Sequence, residues 1–315
     1  MTLLWLNIFI WPKLKKALKG YIKMGMVKER SVVQFSIMKV DEHDHLTTLD
    51  TLAIEEPLEI RLAFGLKQNR TVKNISVTMR TPGNDAELAT GFLFTEGIIH
   101  HRDELASVNH CFIACAENKE NVIQVELNET IAPQLQNTDR NFYTTSSCGV
   151  CGKGSIAAIK TVSSFHPDSQ DHCTISQELL LELPDRLRQH QTVFDATGGL
   201  HACALFSLSG DLLLLREDVG RHNALDKLIG AALEKDWLPL NKTVLLLSGR
   251  ASFELIQKAA MAGIGIIAAV GAPSSLAVEL ALEFGITLIG FLRQQRFNIY
   301  THGHRVLIAH YEDKN

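Results

Sequence analysis

Apolar and polar residues alternate with period two at Leu58-Glu59-Ile60-Arg61-Leu62 and again at Ile75-Ser76-Val77-Thr78-Met79. This predicts two half-buried strands between Glu55 and Met79. Thr81-Pro82-Gly83 breaks the run, and Asn84 or Asp85 stands where a cap is expected for a helix from Ala86 to Phe94. Two more alternating stretches, near Val108 to Ala114 and from Val122 to Leu127, complete a small unit of mixed strands and one helix. The polar stretch Glu129 to Asn141, which contains Pro133, reads as a boundary or an exposed loop.

The pattern changes toward the C-terminus. Ser155 to Thr161 reads as a short helix, and Ser176 to His190 as a longer one bent at Pro184. Thr243 to Leu247 is apolar throughout and is followed by Ser248-Gly249-Arg250 and a helix from about Ser252 to Met261. A second apolar strand, Ile266 to Val270, leads through Pro273-Ser274-Ser275 into a helix from Leu276 to Phe284 that Gly285 ends; Ile286 to Phe291 is a third strand. Strand, helix, strand, helix, strand with apolar strands predicts a parallel α/β sheet covered on both faces. The expected organisation is an N-terminal extension over 1–27, a small α+β domain over 28–140 and an α/β main domain over 141–315.

The extension has two readings. Its apolar run, Leu3 to Trp11, is too short to span a bilayer, and Lys13, Lys15, Lys16 and Lys19 follow that run instead of preceding it as in a signal peptide. It suits either an amphipathic segment on a membrane surface or an upstream start, with Met24 or Met26 as the true first residue.

A chain of 315 residues with 46% hydrophobic and 21% charged residues can bury a large core. A net charge of −4 and a pI near 6.4 exclude a general nucleic-acid binder but leave room for a local basic pocket. The six cysteines, at 111, 115, 148, 151, 173 and 203, are too sparse to staple a small secreted fold, and no secretory signal accompanies them. Reduced thiols in the cytoplasm are expected, with Cys173 and Cys203 as packing residues.

Cys148-Gly149-Val150-Cys151 is the focus of the chemistry. A Cys-x-x-Cys in a reducing compartment serves redox exchange, metal binding or sulfur carriage as a persulfide. Gly149, Gly152 and Gly154 leave room around the sulfur, and Lys153 with the start of the following helix favours thiolate. The competing reading is a zinc site completed by Cys111 and Cys115, although tetrahedral sites normally use tighter paired loops; no metal is expected.

Four further stretches carry polar groups where α/β proteins bind ligands. His201-Ala202-Cys203 has a cysteine where a zinc deaminase needs glutamate, so its proton shuttle would be missing; His201 is either a supporting or a catalytic group. Arg216 to Lys227 follows the apolar run Leu212 to Leu215 and is either a ligand-binding turn or an ion-pair network. Ser248-Gly249-Arg250 would suit a phosphate. Phe291-Leu292-Arg293-Gln294-Gln295-Arg296 offers two guanidinium groups and an aromatic ring for a nucleotide. Neither a Gly-rich dinucleotide fingerprint nor a P-loop lysine motif is present.

Together these stretches resemble the FdhD family of formate dehydrogenase accessory sulfurtransferases. The resemblance rests on Thr81-Pro82-Gly83, Gly91 to Gly97, Ser147 to Lys153, Thr197 to His201, Arg216 to Lys227, Ser248 to Ser252, Ala272 to Ala277 and Gly290 to Tyr300, in that order. It implies a cytidine-deaminase-like α/β/α main domain, a smaller N-terminal domain and a homodimer. It also implies sulfur transfer from a cysteine desulfurase, through Cys148 with Cys151 beside it, to the bis(molybdopterin guanine dinucleotide) cofactor of formate dehydrogenase. That cofactor would be a bound substrate, held by Phe291, Leu292, Arg293, Gln294, Gln295 and Arg296. Cys203 departs from the small apolar residue expected at its position.

Overall fold

The computed structural model describes residues 31–111, 119–133, 135 and 173–308. The expected helix from Ser155 to Thr161, the loop Cys148 to Cys151, Cys115 and the extension 1–27 lie outside these residues.

β1 (Val32–Val40) and β2 (His45–Ala53) form an antiparallel hairpin. Its turn is closed by the Asp41 carboxylate, which accepts hydrogen bonds from the N–H groups of His43 and Asp44. The alternating stretches become β3 (Glu56–Phe64), β4 (Thr71–Arg80), β5 (Leu105–His110) and β6 (Val122–Leu127), in a four-stranded sheet of order β4-β3-β6-β5. Leu58, Ile60 and Leu62 of β3 share one face with Ile123, Val125 and Leu127 of β6, and all six are fully buried with Leu88 and Leu93 of α1 (Asp85–Thr95). The start of α1 differs from expectation. Asn84 occupies the left-handed region at φ 57° and makes no capping bond, and the Asp85 carboxylate is instead engaged by Arg80 at 2.9 Å through two nitrogens.

The remainder runs β7 (Ile175–Ser176), α2 (Gln177–Arg188), α3 (Thr192–Thr197), β8 (His201–Ser207), β9 (Leu212–Asp218) and α4 (Arg221–Glu234). It continues with β10 (Thr243–Leu247), α5 (Phe253–Met261), β11 (Ile266–Ala269), α6 (Ser275–Glu283), β12 (Thr287–Arg293), β13 (Arg296–Thr301) and β14 (Val306–Leu307). α2 is capped by Ser176, whose hydroxyl accepts from the Leu179 N–H, and it contains Pro184 as expected. Six strands form the large sheet in the order β13-β12-β11-β10-β8-β9.

β10, β11 and β12 are parallel, as the apolar runs predict. The sheet as a whole is mixed, because β8, β9 and β13 run antiparallel to their neighbours. The reason is connection length: β8 to β9 and β12 to β13 are tight hairpins, which can only return antiparallel, whereas β10, β11 and β12 are joined through helices. Alternate residues serve two cores. Leu205, Leu245, Leu247, Ile267 and Leu288 face α4, α5 and α6, while Phe206, Val244, Leu246, Ile266 and Ile289 face Leu180, Leu183 and Leu187 of α2. The first core is continuous with that of the four-stranded sheet through α1 and α4. No helix among the described residues is long and apolar enough to cross a membrane.

Candidate functional site

Parallel strands deliver their carboxyl ends to one edge of the sheet, and turns between strand and helix there are the usual ligand contacts of α/β proteins. Two such turns, after β10 and β11, meet the end of β12 here. Gly271 N–H donates to Gly249 O at 2.9 Å, and Phe291 N–H donates to Gly271 O at 3.1 Å, extending the pairing beyond β10, β11 and β12. Small residues make the approach possible: a Cβ on Gly290 would lie 2.8 Å from Pro273 Cδ and 2.9 Å from Tyr300 Cε2. Phe291 has φ 53°, a left-handed backbone that is costly for a bulky side chain. Beyond it, Leu292 is buried in the core against α2, whereas Arg293, Gln294, Gln295 and Arg296 are exposed at the β12–β13 turn. Gln294 donates to both carboxylate oxygens of Asp185 on α2 at 3.0 Å, tying the turn to the helix beneath it.

β8 enters the same edge from the opposite direction. Ser248 Oγ accepts from the Ala202 N–H at 2.8 Å, and a Cβ on Gly249 would lie 3.3 Å from His201 Nδ1, so His201 stands over the Ser248-Gly249 turn. Burial, followed by the charges of Arg221 and His222, holds the His201 imidazole below its ordinary range, so it is neutral at pH 7. His222 Nε2 lies 3.4 Å from Ser252 Oγ and 3.8 Å from Glu254 Oε2. With both partners on one nitrogen, these three do not form a nucleophile triad, which needs the two ring nitrogens separately engaged. The His222 contact is the largest influence on Glu254 and brings its carboxyl down to about 2. Arg221 Nε is buried with no hydrogen-bond partner.

The polar stretch from Arg216 to Lys227 divides. Most of it is an ion-pair network. Arg216 forks onto Glu87 of α1, and Lys227 meets Asp218 at 2.7 Å and the Thr81 carbonyl at 2.8 Å. Asn223 donates to the Met79 carbonyl, and Asp226 receives Lys258 and the Thr95 hydroxyl. Glu217 accepts from the N–H groups of Val193 and Phe194, and burial pushes its carboxyl up despite those donors. At the carboxyl edge, Asp218 pairs in register with His201, and His222 reaches the Ser252 turn. Thr81-Pro82-Gly83 and the α1 segment, read from sequence as local punctuation and one helix, are the network's other half.

Two of the three described cysteines are packing residues. Cys173 and Cys203 are buried, and burial pushes the Cys203 thiol up, so it stays protonated. Cys111 is half-buried, with Sγ 3.8 Å from Gln124 Oε1. The His222–Glu254 contact and the joint at Gly271 have no signal in the local sequence, because their members lie in different turns.

A mixed sheet with helices on its faces, whose parallel strand ends carry arginines and glycines, places the protein in the α/β class. The FdhD/NarQ family model matches residues 53–307, and the chain belongs to that family. It is 54% identical over 260 residues to the sulfur carrier protein FdhD of Mycolicibacterium paratuberculosis, which covers 82% of this chain and 92% of that one. It is 50% identical over 287 residues to the protein of the same description from Streptomyces avermitilis, covering 90% and 98%. The archaeal relative from Saccharolobus solfataricus, also described as a sulfur carrier protein, is 39% identical over 275 residues. In fold, the chain is similar to a crystal structure from Desulfotalea psychrophila described as a formate dehydrogenase accessory protein. The TM-score is 0.63 at 22% identity, over 88% of this chain and 100% of that one.

Proposed function

We propose that this chain is a cytoplasmic sulfurtransferase that matures formate dehydrogenase, carrying sulfur on Cys148 to the bis(molybdopterin guanine dinucleotide) substrate. The observation that carries the reading is identity near 50% over most of the chain to proteins described as sulfur carriers. The basic carboxyl edge, with Phe291 and the exposed Arg293 and Arg296, supports the second half, because a guanine dinucleotide brings both rings and phosphates. A cytidine-deaminase-like arrangement of the six-stranded part and a homodimer belong to the same proposal.

In the proposed reaction, Cys148 thiolate attacks the outer sulfur of a persulfide on a cysteine desulfurase. The donor cysteine leaves as thiolate, and Cys148 becomes the persulfide. Cys151 thiolate then attacks the inner sulfur, forming a Cys148–Cys151 disulfide and releasing hydrosulfide to the substrate; a cellular dithiol reduces the disulfide for the next cycle.

Incubation with desulfurase and cysteine should add about 32 Da, one sulfur atom, at Cys148, as read by intact and peptide mass spectrometry. Cys148→Ala should lose that adduct and formate dehydrogenase maturation while keeping its fold. Maturation at the normal level by this variant would reject the mechanism. A wild-type chain that matures the enzyme without ever carrying sulfane sulfur would instead be a cofactor-holding chaperone.

A further inference from the structure

Several of the described arginines are paired, and three exposed ones are not. Arg61, Arg80, Arg186, Arg188 and Arg216 each meet a carboxylate. Arg250, Arg293 and Arg296 are exposed and have no acidic partner among the described residues. Arg250 lies in the turn after β10, and Arg293 and Arg296 flank the β12–β13 turn at the same edge. An unpaired cation on an exposed turn is ordinary when its side chain is free to wander. Arg250 differs, because its stem is seated.

The seat is Gly271. A Cβ there would lie 3.0 Å from Arg250 Cγ, 3.1 Å from Arg250 Cα and 3.0 Å from the Gly249 carbonyl oxygen. Any side chain there would press on the Gly249 carbonyl and on the Arg250 stem, which lies against the glycine. The same glycine accepts the hydrogen bond from Phe291 N–H. Gly271 is therefore the joint between the Arg250 turn and the Phe291 segment. The two turns stand two strands apart, about 10 Å at ordinary strand spacing. A nucleoside diphosphate is long enough to lie across that gap, with its ring at one side and its phosphates at the other. The turn also leads into α5, whose N-cap Ser252 makes no side-chain capping bond, leaving first-turn N–H groups without that partner.

We propose that Arg250, held in place by Gly271, contacts the phosphates of a guanine nucleotide, so that the binding site spans the turns after β10, β11 and β12. This deepens the proposed function and rests on its cofactor half. Arg250 adds a planar fork for phosphate oxygens, and Gly271 acts as a positioning residue that touches no ligand.

The test is calorimetric titration of the full chain with GDP and with guanosine. Wild-type protein is expected to bind GDP more tightly than guanosine. Arg250→Ala should lower GDP affinity about tenfold or more, the usual effect of losing a charged hydrogen bond, and leave guanosine affinity within about twofold. Gly271→Ala should weaken GDP binding although Arg250 is still present, with circular dichroism checking its fold. If that variant does not fold, Arg250→Ala decides alone. Equal GDP affinity in wild type and Arg250→Ala would overturn the inference while leaving the cofactor reading intact. A wild type that binds neither guanosine nor GDP would overturn the cofactor reading, and the inference with it.

Discussion

Gly91 of α1 and Gly230 of α4 pack backbone to backbone. A Cβ on Gly91 would lie 1.9 Å from the Asp226 carbonyl oxygen, and one on Gly230 would lie 1.9 Å from the Glu87 carbonyl oxygen. Glycine inside a helix ordinarily costs about 1 kcal/mol relative to alanine. Here the sign reverses, because the obstructing atoms are main chain and cannot rotate away. Gly91→Ala and Gly230→Ala should each destabilise the chain by about 3 kcal/mol or more through overpacking, read as a lowered urea midpoint. A gain in stability from either would show that the helices separate freely.

Below that crossing, Lys258 on α5 is buried and bonds Asp226 at 3.0 Å and the Thr95 hydroxyl at 2.9 Å. Lys258→Met should cost about 3–5 kcal/mol, since it leaves the Asp226 carboxylate buried without its counter-charge. Adding Asp226→Asn to that variant should recover part of the loss, so that the two changes are strongly non-additive in denaturant unfolding. Additive losses would mean that the two groups do not act as a pair.

Periodicity made the elements with one regular face legible. β6 and β10 match their expected spans residue for residue, and α5 and α6 begin within one residue of expectation. It was silent on β1 and β2, where apolar residues such as Met38, Val40, Leu46 and Leu49 are exposed and no face is distinguished by burial. The apolar run Leu212 to Leu215 did mark β9, but β8 and β13 were missed because β8 is apolar on both faces and β13 follows only two turn residues. At the site, residue types near strand ends pointed to Phe291, Arg293 and Arg296. Which charges of Arg216 to Lys227 face inward depended on partners more than a hundred residues away, such as Glu87 and Thr81, which no local pattern encodes.

Glu254 gives the stability a defined acid dependence. Its carboxyl falls from the ordinary 4.5 to about 2 in the folded chain, chiefly through His222. A depressed carboxyl stabilises the fold fully above its unfolded pKa and loses that contribution as pH falls through the folded value. Stability should therefore decline between pH 4.5 and about 2. Glu254→Gln should flatten this part of the decline, measured as urea midpoints at about pH 5 and about pH 3. An identical slope in the variant would exclude Glu254 as its source.

Arg293 and Arg296 face each other across the β12–β13 turn as a paired register position, with both side chains exposed. Two like charges so placed repel, and an anion between or beside them relieves the repulsion. Arg293→Ala with Arg296→Ala should weaken GDP binding by about tenfold or more and reduce its dependence on salt, since fewer ionic contacts remain to be screened. Because Gln294 holds the turn to Asp185, the double variant should keep its fold, and thermal unfolding should stay near that of the parent. Undiminished GDP affinity, with an unchanged salt response, would move the nucleotide site away from this hairpin.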